Sequence, residues 1–212
     1  MNSRELYNDR LAATVIANLK KRNMEGYYCQ YSSVALDLAN SFIKPGAKIC
    51  MGGSATIREI GLYDKLKEGG DFTFFDQMEA KTQEDRQEIM RMAFSSDLYF
   101  MSTNAITKDG ILYNVDGNSN RVAALCFGPA EVVVIAGMNK VVTDSDTAKK
   151  RVRGESASIN SISLSKDTPC AKTGKCADCL SAHTICCQCL ETRYSRHPGR
   201  IKVILVGEDL GF

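Results

Sequence analysis

The chain has 212 residues, 44% of them apolar and 25% charged, and a net charge of +2. That is enough apolar residue for one α/β domain with a full core, and too balanced a charge for nucleic acid to be the main partner. No stretch approaches the roughly 18 apolar residues of a membrane span, and Met1-Asn2-Ser3-Arg4-Glu5 leads into a charged amphipathic segment, so the chain reads as cytoplasmic, with reduced thiols.

Leu11, Val15 and Leu19 predict an opening helix, with Lys20-Lys21-Arg22 suiting its negative end. A strand over Tyr27 to Tyr31 and a helix over Ser33 to Phe42 follow, closed by the turn Lys44-Pro45-Gly46. Ala47 to Met51 is a short apolar strand running into Gly52-Gly53-Ser54. Ile57, Ile60, Tyr63 and Leu66 then form one helical stripe, with Thr56 and Glu59 spaced as a capping box. Phe72 to Phe75 reads as a strand, and Glu84 to Phe94 as a helix turning Ile89, Met92 and Ala93 inward.

Leu98 to Met101 is a strand that opens into Ser102 to Thr107 and is joined through a turn at Lys108-Asp109-Gly110 to Ile111 to Val115. A polar loop, Asp116 to Asn120, leads to a short helix over Arg121 to Phe127. Glu131 to Ala136 has the pattern of a strand buried on both faces. A helix carrying Ala148 and Val152 precedes a cysteine-rich loop, and Ile201 to Val206 is a last strand. This alternation predicts a three-layer, Rossmann-like α/β fold with a mostly parallel sheet. It forms a single domain over residues 1–212, with 168–192 as a metal-binding loop.

Two polar constellations could take a ligand. Gly52, Gly53 and Ser54 join a strand to a helix, where exposed amides favour a phosphate or carboxylate. The same residues also suit a plain tight turn with Ser54 or Thr56 as N-cap. The second group, around Asn104, Asp109, Asn120 and Arg121, lies at strand ends and turns, where open α/β sheets bind ligands. Asp109-Gly110 fits a simple hairpin. Arg121 opens an apolar helix and suits a small anion. No hydrolase triad is visible. His183 reads as solvent-exposed and Cys126 as a buried core thiol.

Six of the nine cysteines, Cys170, Cys176, Cys179, Cys186, Cys187 and Cys189, crowd one short loop as C-x5-C-x2-C-x6-C-C-x-C. Cys176 and Cys179 let two sulfurs chelate one centre, and Cys170 and Cys186 complete a four-thiolate set. By count that set fits zinc or a [4Fe–4S] cluster. The uneven wrap around a single C-x2-C looks more like cluster ligation, and Cys187 and Cys189 are spare.

The segments M-G-G-S-A-T-I-R-E-I-G-L at 51–62 and S-T-N-A-I-T-K-D-G-I-L-Y-N-V-D-G-N-S-N-R from 102 resemble the LUD-domain family, in its lactate-utilisation protein C (LutC/YkgG) group. P-C-A-K-T-G-K-C-A-D-C-L-S and P-G-R-I-K-V-I-L-V-G-E-D-L-G resemble its cysteine-bearing branch. The resemblance implies a fold like that of glucosamine-6-phosphate deaminase, ribose-5-phosphate isomerase and the CoA-transferases (NagB/RpiA/CoA-transferase-like). It implies a pocket lined by Gly52, Gly53, Ser54, Asn104, Asp109 and Asn120, and a role beside iron–sulfur partner proteins that oxidise L-lactate to pyruvate. Two other readings remain open: an enzyme acting on a sugar phosphate or acyl-CoA with a structural zinc, and a non-catalytic assembly or regulatory module. A homo-oligomer also remains open.

Overall fold

The computed structural model describes residues 2–212, in which strands alternate with helices. Helix α1 (Ser3–Lys21) leads into β1 (Glu25–Cys29), α2 (Ser32–Ser41) into β2 (Ala47–Met51), and α3 (Ala55–Glu59) with α4 (Leu62–Glu68) into β3 (Phe72–Phe75). Helix α5 (Gln83–Met92) precedes β4 (Leu98–Met101), followed by β5 (Ala105–Thr107), β6 (Leu112–Asp116), α6 (Asn120–Cys126) and β7 (Glu131–Gly137). The last third carries β8 (Val141–Val142), α7 (Ser145–Arg151), a π-helical stretch (Val152–Ser156) and α8 (Ala157–Ser163). It ends with α9 (Pro169–Thr173), β9 (Gln188–Thr192) and β10 (Ile201–Val206).

Six strands form one parallel sheet in the order β1-β10-β7-β4-β2-β3. Alternation along β7 sends Val132 and Val134 into one apolar layer and Val133 and Ile135 into the other. The first layer includes Ala12, Val15 and Leu19 of α1 with Ala124 and Leu125 of α6; the second includes Ala35 and Ala39 of α2, Ile57 of α3, and Leu62 and Leu66 of α4. Both faces are covered at the centre of the sheet, which explains why β4 reads as an unbroken apolar run and β7 as one after Glu131. The three-layer, Rossmann-like fold is therefore as expected.

A second, four-stranded sheet, β8-β5-β6-β9, was not expected. The hairpin at residues 108–110 joins β5 to β6, while β4 stays in the main sheet. Strand β9 comes from within the cysteine-rich segment and pairs antiparallel with β6. The helix expected through Ile57 to Leu66 is broken, because Gly61 adopts φ +80° between α3 and α4. The Thr56–Glu59 capping box does not form. Ser54 caps α3 instead, its Oγ accepting from the Ile57 N–H at 3.3 Å. Helix α5 buries none of its residues; Ile89 and Met92 are half-buried, and of the three expected inward only Ala93, beyond its end, is buried. Cys126 is exposed at the end of α6, where Ala124 and Leu125 take the core positions. Among the described residues, no helix is long and apolar enough to cross a membrane.

Candidate functional site

Connections leave β2 and β4 in opposite directions. From β2 the chain runs outward to β3, and after β4 the main sheet grows the other way, through β7 to β10. The two strands are neighbours, so their carboxyl ends flank the point where strand order reverses, the usual binding crevice of an open α/β sheet. Gly52-Gly53-Ser54 follows β2 and Ser102-Thr103-Asn104 follows β4.

Within the first segment the residues differ. Gly52 is buried, and a Cβ there would meet the Tyr99 hydroxyl at 3.0 Å and the Arg121 side chain at 3.2 Å. Its lack of a side chain makes room for Arg121. Gly53 is exposed, and a Cβ there would meet only Gln77 Nε2, at an ordinary 4.0 Å.

Arg121 reaches from α6 back to the crevice. Its guanidinium donates to Ser102 O at 3.0 Å, Asn104 Oδ1 at 3.0 Å, Val115 O at 2.8 Å and Asn114 Oδ1, and its Nε pairs with Asp116 at 3.2 Å. All five N–H groups thus have internal acceptors. Burial pushes its pKa down, and Asp116 pulls it back. Asn104, which also accepts from the Val115 N–H at 3.0 Å, ties the loop after β4 to β6. Asn120 is half-buried in the first turn of α6. Asp109 is not brought to this group. It accepts from Thr107 and pairs with Arg22 at 2.6 Å, against the end of α1.

Lys140, which follows β7, was missed by the sequence reading. Its Nζ donates to Thr56 Oγ1 at 2.8 Å and Ser102 Oγ at 3.0 Å, and the residue is 3% exposed. It forms no ion pair among the described residues. Burial above all, then Arg151 and Arg121, push its pKa down to about 7, with Glu59 opposing. In Gly137-Met138-Asn139-Lys140 it looks like a turn residue. The available signal is a lysine placed directly behind a fully apolar strand.

The cysteine segment starts from a buried anchor. Cys170 lies in α9, its sulfur 3.3 Å from Thr168 Oγ1 and 3.6 Å from Ser161 Oγ. Burial raises its pKa, but hydrogen bonding with Thr168 and Ser161 outweighs that and leaves it below the ordinary thiol value. Cys186 is raised to about 11, first by burial and then by the neighbouring thiols of Cys170, Cys176, Cys179 and Cys189. Cys186 therefore senses the other three expected ligands, and all nine thiols are free. Among the described residues, no three His, Cys, Asp or Glu side chains form a closed metal cage. The donor set suits a metal by its chemistry, without a preformed geometry. His183 is exposed.

A doubly covered parallel sheet with polar groups gathered at its switch point has the Rossmann-like α/β build. The LUD domain matches residues 12–206, and the chain belongs to the LUD-domain family, which is associated with lactate utilisation. Over 94% of its length the chain superposes on 98% of a DUF162 family protein from Deinococcus radiodurans, at a TM-score of 0.53 and 11% identity, a likeness of fold. A partial alignment, 68% of this chain with 57% of eIF2B delta from Chaetomium thermophilum, has a TM-score of 0.38 and 17% identity. No curated protein matches the chain significantly.

Proposed function

We propose that the chain is a component of an iron–sulfur-dependent L-lactate utilisation system. In this reading the crevice between β2 and β4 binds a small carboxylate or phosphate, and Cys170, Cys176, Cys179 and Cys186 hold a [4Fe–4S] cluster. The observation that carries the reading is the meeting of Gly53, Ser54, Ser102, Asn104 and Lys140 at the carboxyl ends of adjacent parallel strands. The polar groups come from the loops, and the sheet holds them rigidly. A cluster on the four thiolates would supply one-electron transfer. Cys170, already below the ordinary thiol value, is the ligand that deprotonates most readily.

Metal content with a visible spectrum, on protein purified without oxygen, tests the cluster. About four irons per chain and a brown colour are expected, and Cys176→Ser/Cys179→Ser should bleach the protein. One zinc in a colourless sample would make the segment a structural staple. Calorimetry with lactate, pyruvate and inorganic phosphate tests the crevice, and an absence of heat with all three would overturn it.

A further inference from the structure

We propose that Lys140 is a reactive amine that forms an imine with a 2-oxo acid bound at the carboxyl ends of β2, β4 and β7. This rests on the small-carboxylate reading above and deepens it to a substrate class.

Three observations carry it. First, Lys140 is buried with two hydroxyls on its nitrogen and no carboxylate paired to it. Thr56 has Leu210 O for its own proton, at 3.3 Å, and Ser102 has Thr103 O, at 3.4 Å, so both hydroxyls can accept from the lysine. Two acceptors saturate a neutral amine, which has two N–H groups and keeps its lone pair, whereas an ammonium would leave a third N–H buried without a partner. Second, Arg151 stands close enough to act on Lys140 electrostatically. Its Nε and NH1 donate to Asn139 O, Asn104 O and Ser156 Oγ, and its NH2 makes no hydrogen bond among the described residues. That leaves a guanidinium edge for a carboxylate. Third, the amine lies beside the crevice where an α/β sheet takes its ligand. An amine calls for a carbonyl and the guanidinium for a carboxylate, and a 2-oxo acid has both on adjacent carbons.

The step balances without a redox partner. The Nζ lone pair forms a C–N bond to the keto carbon, and the C=O π pair moves to oxygen, which is protonated. The nitrogen gives up a proton, the oxygen takes a second and leaves as water, and a protonated imine remains, one proton being taken up overall. Ser102 and Thr56, at 3.0 and 2.8 Å from the nitrogen, are placed to relay these protons.

The site is covered by the backbone of residue 211. A Cβ at Gly211 would lie 2.6 Å from Thr56 Oγ1 and 3.2 Å from Lys140 Nζ. The cover is held by the Gly211 N–H on Glu59 at 2.6 Å and by Asn139, which bonds Leu210 N at 3.2 Å and Gly211 O at 3.3 Å. Lifting residues 210–212 would uncover Lys140 Nζ on this side.

The test is to incubate the full chain at neutral pH with pyruvate and cyanoborohydride, which reduces an imine to a stable amine, and to map the adduct by peptide mass spectrometry. The same samples are titrated with pyruvate by calorimetry. One carboxyethyl adduct per chain on Lys140, labelled faster in Glu59→Ala and absent in Lys140→Met, is expected. Pyruvate binding with Lys140 unlabelled, even in Glu59→Ala, would overturn the imine and leave the small-carboxylate reading standing. No pyruvate binding and no adduct would overturn the imine, and the small-carboxylate reading would fall with it only if lactate and inorganic phosphate also gave no heat. Adducts confined to surface lysines would also overturn the proposal, and they can be read on the unmutated chain whether or not Lys140→Met folds.

Discussion

At the scale of single residues, two buried cations at the crevice behave in opposite ways. Arg121 is fully partnered, so its removal leaves Asn114 Oδ1 and Asp116 Oδ2 without their donor and takes one of the two donors from Asn104 Oδ1. Breaking a buried charge pair from one side costs about 3–5 kcal/mol, and Arg121→Met should lose roughly that in urea unfolding. Arg121→Lys should recover only part of it, since one ammonium cannot serve five acceptors. Lys140 has no such partner. Its folded pKa is about 7, against about 10.4 in an unfolded chain. Between those values the unfolded state holds a proton that the folded state lacks, so stability rises with pH across the window. Below about 7 both states are charged and the full cost of the buried ammonium is present. Above about 10.4 both are neutral and the cost is gone. Lys140→Met should therefore be more stable than the parent below about pH 7, by on the order of 4 kcal/mol at about 1.4 kcal/mol per pKa unit. The gap should shrink steadily toward about pH 10. A pH-independent gap would mean that the lysine is not the titrating group.

At the scale of elements, Gly61 offers a clean experiment. Its φ is +80°, and a Cβ there would meet Leu36 at an ordinary 3.7 Å, so the position is restricted by backbone alone. Gly61→Ala should cost about 1–2 kcal/mol, the price of a left-handed alanine, and Gly61→Asn should cost less. The break at Gly61 also shows where the sequence stopped being informative. The apolar spacing of Ile57, Ile60, Tyr63 and Leu66 suits a single helix, and the interruption follows from a dihedral that spacing does not encode. Thr56 and Glu59 have the right interval for a capping box, yet one bonds Lys140 and the other Gly211, partners 84 and 152 residues away. Such long-range uses have no local signature. Strand β9 was hidden for the same reason, because Gln188-Cys189 reads as loop until β6 is beside it. By contrast, the six main-sheet strands were legible to within a few residues, the inner ones because burial on both faces leaves an apolar run that needs no partner to be seen. At the crevice, the Gly52–Ser54 turn and Asn104 were visible as strand-end polar residues. The internal duty of Arg121 was not, because a lone Arg at a helix start looks the same whether its acceptors are a ligand or the chain itself.

At the scale of the whole molecule, strand order makes the last strand structurally central. β10 lies between β1 and β7, with five register pairs on one side and six on the other. Its Val203 and Leu205 belong to one apolar layer and Ile204 and Val206 to the other. Until residues 201–206 are in place, β1 has no neighbour in the sheet and β7 has an open edge on one side, so both core layers are incomplete. The segment just beyond, 208–212, does something different: it touches strand ends and holds the cover over Lys140 through Glu59 and Asn139. The two deletions should therefore separate. Removing 201–212 should abolish the cooperative unfolding transition and leave an aggregating chain with open strand edges. Removing 208–212 removes those hydrogen bonds, each worth about 1 kcal/mol, and the buried side chain of Leu210, worth about 2–3 kcal/mol more. It should keep the transition at lower stability and expose Lys140 to amine reagents. Thermal unfolding followed by circular dichroism, with amine labelling of the same samples, reads both results. If the shorter deletion also lost its transition, residues 208–212 would belong to the folding core rather than to a removable cover.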